Sequence, residues 1–240
     1  MDDQEIRSKL NEQNQRLLHE IESNMMPVRF EEWDVSHYAG KIAKSQGCGI
    51  VYCMSDLHQA KIAHELLHIK TGYLLGDTGI MLKVVGHCAN PIAHAIITDK
   101  FCEDLVNQTE HSLFFEEYLA MGYNASDFFE SMCLPREATV WIDLFDKQGL
   151  GRNGIITKDE AYSYLGVMIL LSLYPIKGQY RQQLKKVSSA NAELAGVMKK
   201  FVSTISTIVI EAGEKGKLQN AYMELANDII SWVSVNKVTL

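Results

Sequence analysis

Apolar positions recur at helical spacing through most of this chain and at strand spacing only briefly. Residues 4–22 place Ile6, Leu10, Leu17, Leu18 and Ile21 on one stripe, the pattern of an amphipathic helix. Met25-Met26-Pro27 ends it. Residues 28–48 carry Phe30, Trp33, Val35 and Tyr38, with a short helix expected around 37–46. Gly49-Ile50-Val51-Tyr52-Cys53-Met54 is a compact β-branched apolar run and reads as a buried strand. Ser55-Asp56 then offers capping chemistry to a helix over Leu57–Lys70, where Leu57, Ile62, Leu66 and Ile69 are the apolar points and Thr71-Gly72 the stop.

Residues 71–91 read as a glycine-rich loop with an apolar turn at Ile80–Val85. Residues 92–121 look helical, ending near Met121-Gly122, and Ser126 starts a further short helix. Pro135 opens a helix through about Phe145. Lys147–Gly154 holds three glycines and an Asn-Gly pair, a flexible connector. Asp146 begins a faint likeness to a calcium loop, but Leu150 and Thr157 stand where oxygen ligands are required. Thr157 and Glu160 form a capping box for a helix that Pro175 stops after Tyr174. Two more helices are expected over 180–212 and 217–236. The pattern predicts a mostly helical α+β protein: a first domain over 1–146 with a short sheet and one active-site helix, then an all-helical C-terminal region over 155–240.

Composition narrows the classes. The 240 residues are 47% hydrophobic and 22% charged, ordinary for a globular protein with a real core. A net charge of −7 argues against nucleic acid as a partner. The polar N-terminal stretch has no apolar h-region, and no uncharged apolar run reaches 18 residues, so neither a signal peptide nor a membrane span is expected. Gly166–Leu173 is better read as a buried core helix. Cys48, Cys53, Cys88, Cys102 and Cys133 are odd in number and lack a C-x-x-C pair, as befits reduced thiols in a cytoplasmic protein. Nucleophile-elbow, Walker and dinucleotide glycine motifs do not occur.

The chemistry is concentrated in His64-Glu65-Leu66-Leu67-His68. HELLH matches the zinc-protease pattern H-E-x-x-H, which chance would place in a chain of this composition about 0.02 times. Residues i and i+4 lie on one helical face, so both imidazoles can reach one metal, while Glu65 on the adjacent edge can take a proton from water. A third protein ligand is needed. The spacing H-E-x-x-H-x-x-G-x-x-H is excluded, because Thr71 and Leu74 occupy the required glycine and histidine positions. Asn107-Gln108-Thr109-Glu110-His111 is the best downstream candidate: Asn107, Glu110 and His111 share a helical face. Glu110 would complete a His₂Glu set. His111 could instead be the ligand, or act in catalysis by stabilising an oxyanion.

HELLH followed by NQTEH resembles the gluzincin plan, and strand, short loop and motif helix over residues 49–120 resemble the minigluzincins and the ImmA/IrrE-type cytoplasmic metallopeptidases. Leu67 stands where the latter usually carry glycine. The resemblance implies a small zincin-like core and a Zn²⁺ cofactor held by His64, His68 and Glu110. It further implies Glu65 as general base, a zinc-activated water, and a protein or peptide substrate. His111 or Tyr123 is expected to assist at the oxyanion. His19, His37, His58, His87 and His94 are read as surface or structural. The alternative function is a non-catalytic helical interaction module that binds metal structurally or has lost activity, with the C-terminal helices meeting a protein partner.

Overall fold

The computed structural model describes all residues except 34–37, 44, 77–90, 130–133, 135, 152–153, 177 and 212. The chain forms two compact units that interleave in sequence: Met1–Gly76 with Phe114–Cys133, and Asp77–Leu113 with Leu134–Leu240. The architecture is α+β and mostly helical, as the hydrophobic pattern predicts. No described helix is long and apolar enough to cross a membrane.

The first unit opens with α1 (Asp3–Ser8) and α2 (Glu12–Asn24) rather than one helix. The break falls at Leu10-Asn11 because the Asn11 side chain accepts from the Asn14 amide at 2.9 Å and starts a new helix there. Strands β1 (Val28–Glu32), β2 (Ala39–Ala43) and β3 (Cys48–Cys53) follow. Among the described residues they form one sheet of order β1-β3-β2, with β1 parallel and β2 antiparallel to the central β3. The helix expected around 37–46 is thus the strand β2 over Ala39–Ala43. Its register pairs Gly40 with Val51 and Ile42 with Gly49, so Gly40 and Ile42 share the face that covers the next helix.

That helix, α3 (Gln59–Leu75), packs on β2, β3 and α2. It starts at Gln59, with exposed His58 in the N-cap position and no side-chain cap, so Ser55-Asp56 does not serve. It also runs through the expected stop at Thr71-Gly72. Thr71 is buried, and Gly72 lies against Ile42, so packing outweighs the glycine's poor helix propensity. Gly76, at φ 70°, ends it.

Next come α4 (Pro91–Ile96) and α5 (Asp99–Ala120), separated at Thr98, whose hydroxyl accepts from the Phe101 amide. Gly122, at φ 90°, closes this stretch where Met121-Gly122 was expected to. The C-terminal part of α5, from Phe114, and the short α6 (Ala125–Phe129) belong to the first unit.

The second unit is helical. Its helices are α7 (Arg136–Gln148), α8 (Lys158–Ser172), α9 (Arg181–Ala190), α10 (Ala192–Ile205) and α11 (Lys215–Val235); α4, α7, α9 and α10 pack on α8, which is buried almost all round, and α11 packs on α10 and α4. The Thr157–Glu160 capping box is present. The single helix expected over 180–212 is two, because Asn191 caps α10 through the Leu194 amide at 2.8 Å. The connector Lys147–Gly154 does not separate the two compact units. It joins α7 to α8 inside one of them, since α7 packs on α8 and α9. The turn expected at Ile80–Val85 lies outside the described residues.

Candidate metal centre

Two neighbouring stripes of α3 divide its work. Glu65, Ile69 and Gly72, spaced i, i+4 and i+7, face the sheet: a Cβ on Gly40 would meet Glu65, Gly49 sits against Ile69, and Gly72 against Ile42. His64, His68 and Thr71 form the stripe one residue back, about 100° around the helix. Burial of Ile62, Ala63, Leu66 and Leu67 at 0% exposure fixes the rotation of the helix, and with it where both stripes point.

The Nε2 atoms of His64 and His68 are 3.1 Å apart. Aromatic rings hold both imidazoles. Phe114 stands edge-on to each, with centroids 5.5 Å from His64 and 4.9 Å from His68. Phe128 lies 4.7 Å and Tyr118 6.4 Å from His64. Burial, and then the neighbouring His68, push the His64 pKa well below its ordinary value. His64 is therefore neutral near pH 7, with a lone pair to offer.

His111 lies on α5, one turn before Phe114 on the same helix, and is 4% exposed. Its ligand atom and those of His64 and His68 all lie within 4.8 Å of one another. This group of three histidines can hold a metal ion. Sequence reasoning named all three residues but preferred Glu110 as the third donor. Half-buried Glu110 is not a member of the group among the described residues. A histidine and a glutamate adjacent on one helix point about 100° apart, and only the rotation of α5 chooses between them.

Glu65 is half-buried beside the sheet. Its charge is felt by Cys53 at the end of β3, where burial first and Glu65 second push the thiol up to about 12. Cys53 is thus an inert, protonated thiol. Tyr123 is engaged elsewhere. Its hydroxyl lies 2.9 Å from Asn14 Oδ1 and accepts from Asn11 Nδ2 at 2.9 Å, in a network that also ties Asn14 to Gln59 at the start of α3. Asn107 is exposed, as are His19, His58 and His94, while His37 and His87 lie outside the described residues. Cys48 and Cys53 are free thiols, and Cys88 and Cys133 lie outside the described residues.

Two supports of the site carried no signal in the sequence. Lys70, two residues after His68, is mostly buried and bridges Glu117 of α5 at 2.7 Å and Glu20 of α2 at 2.6 Å. Burial opposes its charge, but the two carboxylates more than offset this, and its pKa is raised. The Tyr38 hydroxyl donates to the Asp56 carbonyl and accepts from the His58 amide, both at 2.7 Å, pinning the loop that leads into α3. Comparison with models of known protein families, with curated proteins and with solved structures gives no match to this chain.

Proposed function

We propose that this protein is a zinc-dependent hydrolase, with a peptide bond as its substrate, in which His64, His68 and His111 bind the metal and Glu65 is the general base. The observation that carries the reading is the convergence of three histidines beside the glutamate of an H-E-x-x-H helix. Zinc–nitrogen bonds of about 2.0–2.1 Å at tetrahedral angles put two ligand nitrogens about 3.3 Å apart, close to the spacing of the His64 and His68 Nε2 atoms. Three protein donors leave a fourth position open, as catalytic rather than structural zinc sites do.

A zinc ion held by His64, His68 and His111 would supply Lewis-acid chemistry toward water and a substrate carbonyl. The chain's own residues then do the following. His64 and His68 present ring nitrogens from a helix whose rotation the core locks. His111 adds a third from α5. Phe114 packs against both imidazoles, and Phe128 and Tyr118 against that of His64. Glu65, one residue off the ligand stripe, accepts the proton of the attacking water and delivers it to the leaving amine. The likeness to the gluzincin plan then extends to the motif helix and to the use of a downstream helix. A third histidine in place of Glu110 departs from that plan, and it leaves the full charge of the ion uncompensated by a carboxylate ligand.

Metal analysis and peptidase assays on five variants test this. His64→Ala, His68→Ala and His111→Ala should each lose most of about one bound zinc per chain. Glu110→Ala should keep it. Glu65→Gln should keep zinc and lose peptide hydrolysis by roughly 10²–10⁴-fold. Zinc retained in His111→Ala but lost in Glu110→Ala would restore the His₂Glu site. Full zinc without any effect of Glu65→Gln would favour the non-catalytic interaction module.

A further inference from the structure

Glu65 belongs to the stripe of α3 that faces the sheet, not to the stripe that carries the histidines. The sheet meets the main chain and Cβ of Glu65 at one residue, Gly40. A Cβ added to Gly40 of β2 would lie 2.6 Å from the Glu65 carbonyl oxygen and 3.1 Å from the Glu65 Cβ. The first distance is shorter than any tolerable contact, and its partner is helix backbone, which cannot rotate away. Gly40 has no left-handed φ to explain it, so its requirement is one of space. The other two glycines at this contact face side chains rather than backbone: a Cβ on Gly49 would lie 2.8 Å from the Ile69 Cγ2, and one on Gly72 would lie 3.2 Å from the Ile42 Cδ1, the far end of a flexible side chain.

We propose that Gly40 is the positioning residue for Glu65: the bare backbone of β2 lies against the Glu65 carbonyl and Cβ and so walls its side chain toward the histidine stripe. This rests on the reading of Glu65 as proton acceptor. Strand β2 is the partner that would yield to a side chain at position 40. Among the described residues it is paired on one side only, to β3. Helix α3 is held by α2, β3, α6 and the Lys70 bridges. A methyl group at position 40 therefore lifts β2 away and removes the wall beside Glu65, while His64 and His68 keep their places.

The test is Gly40→Ala made in the parent and in Glu65→Gln, with Gly72→Ala as control. In the parent background Gly40→Ala should keep its zinc and its KM and lose about 10–100-fold in kcat, the scale of a misplaced catalytic group. In the Glu65→Gln background it should cost nothing further, because a residue that acts through Glu65 has nothing left to position. Gly72→Ala should leave kcat unchanged. An equal loss in both backgrounds, or no loss in the parent, overturns the proposal. Amide hydrogen exchange on the same zinc-loaded proteins gives a readout independent of turnover: Gly40→Ala should speed exchange in residues 39–43 and leave α3 unchanged. If zinc-loaded parent and Glu65→Gln hydrolyse peptides equally, it is the catalytic reading that has failed. Unchanged exchange in β2 would then still refute the contact. Should Gly40→Ala not fold, a nuclear Overhauser contact between the Gly40 Hα and Glu65 Hβ protons of the wild-type protein decides the point, and its absence overturns the proposal.

Discussion

At the scale of single residues, the site turns on the protonation of His64. Its ring packs against His68, Phe114, Tyr118 and Phe128. Burial and the neighbouring His68 lower its pKa below the ordinary 6.5. The unfolded chain therefore binds more protons than the folded one over a window reaching up to about that value. Stability from this residue is complete above the unfolded pKa and is lost as pH falls through and below it. The chelator-treated protein is thus expected to melt at a lower temperature at about pH 5.5 than at about pH 7.5, and His64→Leu should flatten that dependence. A pH dependence identical in His64→Leu would show that the burial of His64 does not matter. The same neutrality frees the nitrogen lone pair for a cation, so acid should also release the metal.

At the scale of elements, α3 is placed by contacts on every side. The sheet packs on its Glu65–Ile69–Gly72 stripe through the close approaches at Gly40 and Gly49. Lys70 links it to α2 and α5. Lys70 is mostly buried, whereas Glu20 and Glu117 are 44% and 34% exposed, so water softens the penalty for leaving the carboxylates unpaired. Lys70→Met is expected to lower stability by about 1–2 kcal/mol, below the cost of breaking a fully buried pair. On the proposed zinc reading it should leave zinc stoichiometry unchanged, because Lys70 is not a member of the His64–His68–His111 group. Urea unfolding with metal analysis checks both; loss of zinc at full stability would place Lys70 in the site itself. The elements also show where local rules yield. Thr71-Gly72 reads as a helix stop, yet burial of Thr71 and the fit of Gly72 against Ile42 carry the helix on to Leu75.

At the scale of the whole molecule, the two compact units interleave, and the boundary suggested by the glycine-rich connector is not the one that packing draws. Helix α7 precedes the connector but buries Ala138, Ile142 and Phe145, and the Phe145 ring meets Tyr164 of α8 at 5.4 Å. Fragments 1–146 and 155–240 should therefore fail to fold separately. The first would expose the apolar face of α7, and the second would expose the surface of α8 beneath it. Circular dichroism and chemical denaturation of the two fragments check this, and cooperative unfolding of fragment 155–240 alone would contradict it.

The helical character, the capping box at Thr157, the buried helix over Gly166–Leu173 and the strand read over Gly49–Met54, found over Cys48–Cys53, follow from the sequence alone. Each depends on residue spacing or on bonds within one or two turns. The pairing of His64 with His68 is legible for the same reason: i and i+4 share a helical face whatever surrounds it. The third histidine is different. Glu110 and His111 are adjacent, both can ligate metal, and only the rotation of α5 decides that His111 is the one near the pair. Strand β2, read locally as helix, exists because β3 offers it a ladder and α3 a surface that Gly40 and Ile42 fit. Those partners lie in other segments of the chain, so tertiary packing alone decided where the ligands converge and what lies beside Glu65.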